Sequence, residues 1–366
     1  MRSLRVAHLS TQTGWRGGEQ QLVWLAQGLQ KLGHACLVVC NREGELLRRA
    51  PALELRAVGV PIRGEIGFNS VRESAAALRE FEPDVLHLHD AHAVLIGSLA
   101  GKLAGTPAIL ASRRVDFRIR SRWKYTWAID KVIAISAAVR AVLVDCGLEP
   151  AHISVVPSGV DLARLDALPE RAGARQKLGL APDHLAVGMI AALTDHKGHR
   201  YLLDGWPKVV ERHPRARLYL AGRGELEAEL KKQAGRLGIA DGVRFMGFCE
   251  DVRGLLAALD LFALSSHLEG LCTSLMDAMA AQLPVVATEA GGIPEVVDSG
   301  RTGVLVRPRD PAALAEAING LLADPERRAR FGRAGREKAL TEFGYEKMVE
   351  RTQTVYAQVL AGKGLL

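Results

Sequence analysis

The sequence predicts an α/β protein of two domains, each built around a doubly wound parallel sheet. Its 366 residues are more than twice a domain of about 150 residues. Short apolar runs rich in β-branched residues alternate with helical segments, which indicates βαβ units. The alternation runs twice, and residues 157–185, rich in Pro, Gly and charge, separate the two series as a candidate linker.

The elements follow in order along the chain. In the first half we predict strands at 4–9, 35–40, 85–89, 108–111, 132–135 and 154–156, and a helix over 20–32 that Gly33 ends. In the second half we predict strands at 186–192, 217–221, 243–246, 261–264, 285–287 and 303–306. The expected domains are 1–165 and 166–344, and a last helix over about 345–362 can pack back on the first domain. Because ligands bind at the carboxyl ends of such strands, we expect the domains to face a central cleft.

Composition excludes several protein classes. Hydrophobic residues make up 48% and charged residues 24% of the chain, which argues against disorder, collagen and coiled coil. No apolar run approaches the roughly 18–20 residues of a membrane span, and the first residues lack a signal-peptide pattern. The five cysteines are scattered without a CxxC pair, so we expect a cytoplasmic protein without structural zinc.

Most of the formal net charge of +7 falls in the first half of the chain. Between Arg113 and Lys124 basic residues greatly outnumber the single acid, and Phe117, Trp123 and Trp127 are interleaved with them or follow them. Such a segment suits an anionic membrane surface or a phosphorylated lipid-linked glycan. The alternative is a solvated basic helix face. Nucleic acid is disfavoured because no recognition motif accompanies the patch.

Residues 265–280 hold the strongest constellation. Helical spacing resumes at Ser274, so the backbone N–H groups of residues 270–273 are expected at a helix N-terminus, which suits a phosphate. Glu269 precedes this helix and Asp277 is expected in its first turn, where the two carboxylates can accept sugar and ribose hydroxyls. The alternative is a capping box in which Asp277 merely holds the helix start.

Six motifs in one order resemble the retaining glycosyltransferases of family 4 (group 1). They lie at residues 156–161, 193–198, 220–225, 245–248, 269–277 and 291–295. The resemblance implies the GT-B fold, in which two Rossmann-like domains face a central cleft. It also implies transfer of a sugar from a nucleotide-sugar donor to a glycan or lipid-linked acceptor, in cell-envelope polysaccharide or lipopolysaccharide synthesis.

The resemblance assigns donor roles residue by residue. It implies that Lys197 pairs with the donor diphosphate, Glu269 contacts the donor sugar and Asp277 holds ribose. The remaining donor-binding residues line the phosphates or the base; they are Gly247, Phe248, Cys249, Gly270, Leu271, Cys272 and Thr273. Taken alone, Lys197 could equally be a surface lysine beside a turn glycine, and residues 291–295 a plain turn before a helix.

Two features of the sequence depart from the family pattern. The family usually has Glu where Asp277 stands, and a Gly-Arg pair where Ala191 and Ala192 stand. One expected diphosphate cation is therefore missing from its place. We hypothesise that Arg223, in the turn after the strand 217–221, substitutes for it.

In the first domain, Gly17 and Gly18 are predicted to bind the donor, and most other site residues are assigned to the acceptor. Gly17 and Gly18 resemble the family's flexible first loop, which approaches donor phosphate and acceptor, and glycine lets a backbone come close to a ligand. Glu19 either orients the acceptor or is an ordinary acid in the first turn of a helix.

The motif His87-Leu88-His89-Asp90-Ala91-His92 ends a strand. We predict His89 as catalytic and Asp90 and His92 as acceptor contacts, with His87 packed in the core. A metal site is disfavoured because no further ligands at metal spacing follow. Arg113 and Arg114 stand where the family often has a His, and we predict that they bind the acceptor. In a retaining front-face mechanism the leaving phosphate can itself take the acceptor proton.

No metal or other cofactor is expected, because no DxD-type cluster stands in the expected place. Two other functions remain open from the sequence. A nucleotide-sugar epimerase of the same fold would need no second substrate. A non-catalytic binding protein, suggested by Ala192 and Asp277, would bind the donor without turnover.

Overall fold

Two parallel sheets organise the chain in the computed structural model, which describes residues 2–62 and 67–366. The chain divides into two units, Met1–Gly159 with Tyr345–Leu366, and Val160–Gly344. The division falls a few residues before the boundary predicted at 165. Both sheets confirm the predicted fold class of doubly wound α/β domains.

The first unit has a seven-stranded sheet in the order β3-β2-β1-β4-β5-β6-β7. The strands are β1 Arg5–Ser10, β2 Ala35–Asn41, β3 Ala57–Val60, β4 Val85–Leu88, β5 Ala108–Arg113, β6 Lys131–Ala134 and β7 Ile153–Val155. The helices are α1 Gly17–Lys31, α2 Glu45–Arg49, α3 Phe68–Phe81, α4 Ala91–Ala104 and α5 Ala137–Asp145, together with the C-terminal helix α15 Tyr345–Gly362.

Helix α15 belongs to the core of the first unit. A Cβ added at Gly28 of α1 would lie 2.4 Å from Cγ2 of Val349, so glycine lets the two helices approach closely. Val349, Tyr356 and Leu360 are buried in the cluster that also holds Leu22, Leu25 and Leu29 of α1. The last helix therefore completes the apolar layer over one face of this sheet.

The second unit has a six-stranded sheet in the order β10-β9-β8-β11-β12-β13. The strands are β8 Leu185–Ile190, β9 Ala216–Ala221, β10 Val243–Gly247, β11 Leu261–Leu264, β12 Val285–Thr288 and β13 Gly303–Val306. The helices are α6 Ala163–Asp166, α7 Arg171–Lys177, α8 His199–Arg212, α9 Glu227–Arg236, α10 Val252–Ala258, α11 Thr273–Ala280, α12 Ile293–Val296, α13 Pro311–Leu322 and α14 Pro325–Glu342.

Three local predictions were wrong. Strand β3 was missed, because Ala57–Val60 is a short, half-buried edge strand containing a glycine. Helix α1 begins at Gly17, so the predicted loop is shorter and Glu19 lies in the first helical turn. Residues 157–185 are not a linker, since α6 and α7 fold into the second unit. Arg175 of α7 is buried there and donates to Asp260 and to three backbone carbonyls.

Each sheet has one point where the strand order reverses, between β1 and β4 in the first and between β8 and β11 in the second. Loops that leave the carboxyl ends of strands at such a point diverge and open a crevice for a ligand. The fold thus places the segments after these four strands at the two preferred binding positions.

Among the described residues, no helix combines the length and apolar character that a membrane span requires.

Candidate functional site

The switch point of the second sheet brings Lys197 and Glu269 together. Lys197 Nζ lies 2.5 Å from Glu269 Oε2, and the two side chains are 19% and 9% exposed. Ser266 Oγ donates to the same carboxylate oxygen at 3.2 Å. A largely buried ion pair with its own hydrogen-bond donor is thereby fixed beside the end of β11.

Gly198 explains how this pair forms. Its φ is +66°, and a Cβ there would lie 2.1 Å from the carbonyl oxygen of Ser265, so only glycine fits the turn. The Ser265 hydroxyl donates to the Gly198 carbonyl at 2.9 Å, and the His267 N–H donates to the His196 carbonyl at 2.9 Å. The loops after β8 and β11 are therefore held together, which places Lys197 opposite Glu269.

Helix α11 begins at Thr273 with Cys272 as its N-cap residue, directly after Glu269. Burial raises the pKa of the Cys272 thiol to about 11, with the nearby Glu269 carboxylate adding to the effect, so the thiol stays neutral. The amides of residues 270–273 then lie at a helix N-terminus beside the ammonium of Lys197. That combination attracts an anion such as a phosphate.

Asp277 lies in the second turn of α11 rather than the first. The alternative of a capping box is therefore wrong, since the helix starts one residue earlier than predicted and Asp277 is too far along to cap it. Its carboxylate instead accepts from Arg164 Nη2 at 2.6 Å. Burial raises the pKa of Asp277, and the Arg164 guanidinium opposes this shift.

The residues predicted for the base and for the second cation lie together at the ends of β9 and β10. The Gly222 N–H donates to the Gly247 carbonyl at 2.7 Å. The Arg223 Nε lies 3.8 Å from the position a Cβ on Gly247 would take. Phe248 is 60% exposed and Cys249 is half-buried. Arg223 and the predicted base-lining segment are therefore neighbours.

Residues 291–295 also reach this site. The Gly292 N–H donates to the backbone carbonyl of Glu269 at 2.9 Å, and α12 follows at once. The backbone of this segment is thus a turn before a helix, as in the alternative prediction. The turn supports the loop that carries Glu269.

At the switch point of the first sheet, three buried histidines form one cluster, which we call the histidine cluster: His8, His87 and His89. His8 and His87 are register partners on β1 and β4. His8 Nδ1 lies 3.1 Å from His89 Nε2. His87 contacts the Tyr356 hydroxyl at 2.6 Å and the Ser112 hydroxyl at 2.8 Å.

The histidine cluster is held neutral. Burial lowers the pKa of His8 to about 3 and moves the pKa values of His87 and His89 well below the ordinary range. Arg114 Nη2 lies 3.4 Å from His89 Nδ1. Since a guanidinium can only donate, this contact makes Nδ1 an acceptor and places the proton of His89 on Nε2, facing His8.

The same cluster is where the described residues could hold a metal, because one nitrogen of each histidine lies within 4.8 Å of the others. The guanidinium of Arg114 beside His89 disfavours a second cation there. Both ring nitrogens of His89 already have partners, so the catalytic role predicted for it stays a prediction.

Other predicted acceptor residues carry structural contacts. Asp90 caps α4 by accepting from the backbone N–H groups of His92 and Ala93, and it also accepts from Thr11. Glu19 accepts from the Arg16 N–H at 2.8 Å, which is the first-turn alternative, and burial raises its pKa. His92 is exposed beside them.

The basic segment of the first unit is not a continuous helix face, since only Arg122–Tyr125 of its described residues form a short 3-10 helix. Arg113 is buried and donates to the Phe117 carbonyl at 2.5 Å. Arg114 packs beside Gly18 of α1. The exposed part, which we call the aromatic–basic segment, covers residues 115–127 and displays Phe117, Trp123 and Trp127 at 46%, 52% and 42% exposure. Its exposed cations are Arg118, Arg120 and Arg122.

Sequence reasoning missed four contributors to these two sites: Arg164, Ser266, His8 and Tyr356. Ser266 lies in the motif region and could have been found there. The other three meet their partners only across the fold, and no local pattern marks them.

The fold and the site together define a class of protein. Two doubly wound domains, one with an anion-binding helix start and a Lys–Glu pair at its switch point, are the expected layout of a GT-B enzyme. A likeness to a solved structure confirms the GT-B fold. The Anabaena protein Alr3699/HepE, solved in complex with UDP and glucose, matches 97% of this chain and 99% of its own with a TM-score of 0.86 at 23% identity.

Family models then identify the group. Residues 170–338 match "Glycosyl transferases group 1" and residues 15–164 match "Glycosyltransferase Family 4". The chain belongs to these glycosyltransferases.

Two curated relatives are similar over parts of the chain. Alpha-maltose-1-phosphate synthase of Mycolicibacterium smegmatis is 30% identical over 313 residues, 76% of this chain and 79% of that protein. The GDP-mannose-dependent monoacylated alpha-(1-6)-phosphatidylinositol monomannoside mannosyltransferase of Corynebacterium glutamicum is 35% identical over 211 residues. That match spans 55% of each protein, about half the length of the Corynebacterium relative.

Proposed function

We propose that the protein is a retaining glycosyltransferase. It transfers a sugar from a nucleotide-sugar donor to a glycan or phosphorylated lipid-linked acceptor, in synthesis of cell-envelope polysaccharide or lipopolysaccharide. The observation that carries this proposal is the Lys197–Glu269 pair, 2.5 Å apart, beside the start of α11. The name of the Corynebacterium relative, with its nucleotide-sugar donor and lipid acceptor, supports the substrate classes.

The donor diphosphate is placed against Lys197 and the amides of residues 270–273. Negative charge on the diphosphate grows as the bond to the sugar breaks, so fixed positive charge stabilises the transition state more than the bound donor. The Glu269 carboxylate accepts hydrogen bonds from the hydroxyls of the sugar. We propose that these groups, rather than a metal ion, neutralise the diphosphate. Activity that persists in excess EDTA is the expected result, and its loss with recovery on adding magnesium would contradict this part.

Retention follows if the acceptor attacks from the face that the diphosphate leaves. The acceptor oxygen forms a bond to the anomeric carbon, the bond from that carbon to the diphosphate oxygen breaks, and the acceptor proton passes to the departing phosphate. This assignment of the proton is favoured because both nitrogens of His89 already have partners. The acceptor side is assigned to the first unit, with Glu19, Asp90, His92, Arg113 and Arg114, whereas Gly17 and Gly18 are assigned to the donor.

A thermal-shift screen with UDP-, GDP- and ADP-sugars tests donor binding, because a ligand that binds only the folded state raises the melting temperature. With the donor found, transfer is measured with and without glycan and lipid-linked acceptors, and NMR of the product gives its anomeric configuration. We expect acceptor-dependent transfer with retention. Conversion of the donor without acceptor would identify an epimerase, and binding without turnover a non-catalytic binding protein.

The aromatic–basic segment is proposed as the surface that meets an anionic membrane. Its three exposed aromatic side chains lie among exposed arginines, and Trp123 and Trp127 stand with ring centroids 6.3 Å apart. Amphipathic aromatic rings favour the headgroup region, and each basic residue near an anionic leaflet adds about 1 kcal/mol. A lipid-linked acceptor would then be met where it resides.

Co-sedimentation with vesicles tests this surface. We expect binding to phosphatidylglycerol vesicles but not to phosphatidylcholine vesicles, and loss of that binding in the double variant Arg118→Gln, Arg120→Gln. The matched control, Arg330→Gln with Arg333→Gln on α14, removes the same charge from exposed positions of the second unit. Equal loss in both double variants would show that net charge, rather than this segment, governs binding.

A further inference from the structure

Asp277, the residue assigned to ribose, is held by a residue that the sequence did not suggest. Arg164 Nη2 donates to Asp277 Oδ1 at 2.6 Å, and the side chains are 35% and 13% exposed. Arg164 lies on α6, and Asp277 lies on the helix whose start carries residues 270–273. The contact therefore joins a short surface helix to the donor-binding helix within the second unit.

The backbone around Arg164 is anchored by other means. Arg336 of α14 pairs with Asp166 of α6 at 2.7 Å and donates to the Ala280 carbonyl at the end of α11. Arg253 of α10 donates to the Ala167 carbonyl. Since α6 is already fixed to its neighbours by these contacts, the Arg164 side chain is not needed merely to tether it.

We propose that Arg164 is a positioning residue for the ribose of the donor nucleotide. It holds the Asp277 carboxylate through Oδ1 in one orientation, and Oδ2 is the oxygen that accepts from the ribose hydroxyls. This inference rests on the proposed donor site. An aspartate reaches one methylene less far than the glutamate usual in the family, so a fixed orientation matters more for it.

The charge on Asp277 is part of the same arrangement. Burial raises the pKa of this carboxyl and Asp161 adds to that effect, whereas Arg164 lowers it. The other charged groups at the junction of α6, α11 and α14, Arg336 and Asp166, pair with each other. An ionised carboxylate accepts at both oxygens, whereas a protonated one must donate at one of them. Removing Arg164 therefore raises the pKa of Asp277. As pH falls, Asp277 is then protonated, and ribose binding is lost, at a higher pH than in the unaltered protein.

The test compares a nucleotide with its dideoxy counterpart, which lacks both ribose hydroxyls. Calorimetry first identifies which of UDP, GDP and ADP the unaltered protein binds. We expect Arg164→Gln to weaken the binding of that nucleotide by about 10-fold and the binding of its dideoxy counterpart by less than about 2-fold. Asp277→Asn is expected to show the same selectivity, and Arg164→Lys to restore part of the affinity.

A control variant separates positioning from structural support. Arg336→Gln loosens the same junction without removing the partner of Asp277, so it should affect both nucleotides equally. Only Arg164→Gln should move the acid limb of nucleotide binding to higher pH. Equal loss for both nucleotides in Arg164→Gln, or the same selective loss in Arg336→Gln, overturns the inference.

The proposed function fails in a different way. If the unaltered protein binds none of the three nucleotides, the donor site itself is wrong and this inference falls with it. If the unaltered protein binds a nucleotide and Arg164→Gln changes neither the ribose selectivity nor the acid limb, only the role of Arg164 is wrong.

Discussion

The two switch points have the same strand arrangement, but one carries neutral side chains and the other an ion pair. In the first sheet, the ends of β1 and β4 carry three buried histidines whose pKa values are lowered, with Arg114 beside them. In the second, the ends of β8 and β11 carry an ion pair that is partly open to solvent. Buried neutral groups favour a rigid and specific surface, whereas the partly exposed Lys197, beside a helix start, favours an anionic ligand. One topology thus supports two kinds of site because the side chains at the strand ends differ.

The largest effect is expected when the ion pair at the switch point of the second sheet loses its lysine. Lys197→Gln removes the cation that meets the growing charge on the diphosphate and leaves Glu269 without that partner. We expect kcat to fall by about 100- to 1,000-fold, the range seen when one group that stabilises the transition state is lost. Lys208→Gln, an exposed lysine of α8, is the control for loss of charge alone. A kcat within twofold of the unaltered protein would exclude Lys197 from the chemistry.

The second prediction concerns the histidine cluster and the dependence of protein stability on pH. The pKa of His8 is about 3 in the folded protein and about 6.5 when unfolded. Between these values the unfolded chain binds a proton that the folded chain does not. Stability is therefore complete above about pH 6.5 and falls as pH drops, by up to about 1.4 kcal/mol per pH unit for each such histidine.

His8→Gln should flatten this dependence by about one histidine's share when the free energy of unfolding is measured between about pH 7 and about pH 5. Buried His199 in the second unit has a pKa lowered to about 3 as well, so part of the slope remains. The exposed residue His92 provides the control variant His92→Gln, with which the slope of His8→Gln is compared. An unaltered slope in His8→Gln would contradict the neutral state of the histidine cluster.

A smaller effect is expected from the support of the histidine cluster. Tyr356→Phe removes the hydroxyl that contacts His87 Nδ1 at 2.6 Å in a buried setting. A buried polar atom left without its partner costs about 1–3 kcal/mol, so unfolding in urea should occur at lower denaturant. Tyr345→Phe loses only the exposed contact with Lys31, and should stay within about 0.5 kcal/mol. Nucleotide binding by the second unit should be the same in both variants.

The smallest effect is expected from Arg223, near the proposed donor site of the second unit. Arg223→Glu reverses the charge beside Gly247, where we place the second diphosphate cation. We expect about 10-fold weaker nucleotide binding, equal to about 1.4 kcal/mol. Arg236→Glu, an exposed position on α9, is the matched charge reversal. Unchanged affinity and activity in Arg223→Glu would remove this hypothesis.

Much of the fold could be predicted because its signals are local. Strands β11 and β13 have the predicted ends, and most others differ by a residue or two. Predictions failed where tertiary contacts replaced the local rule. The prolines, glycines and charges of residues 157–185 suggested a linker, yet Arg175 is buried against carbonyls of the second unit. The start of α1 was placed too late because glycines at 17 and 18 suggested a loop.

The sequence by itself determined the fold class, the family and the two loops that carry Lys197 and Glu269. Each depends on residues close together in the chain, through apolar periodicity, turn glycines or contiguous motifs. Only the tertiary structure decided that Asp277 is held by Arg164, 113 positions away, and that His87 meets Tyr356, 269 positions away. Such pairs arise from strand order and helix packing. They are decided when the chain folds and buried polar groups must find partners.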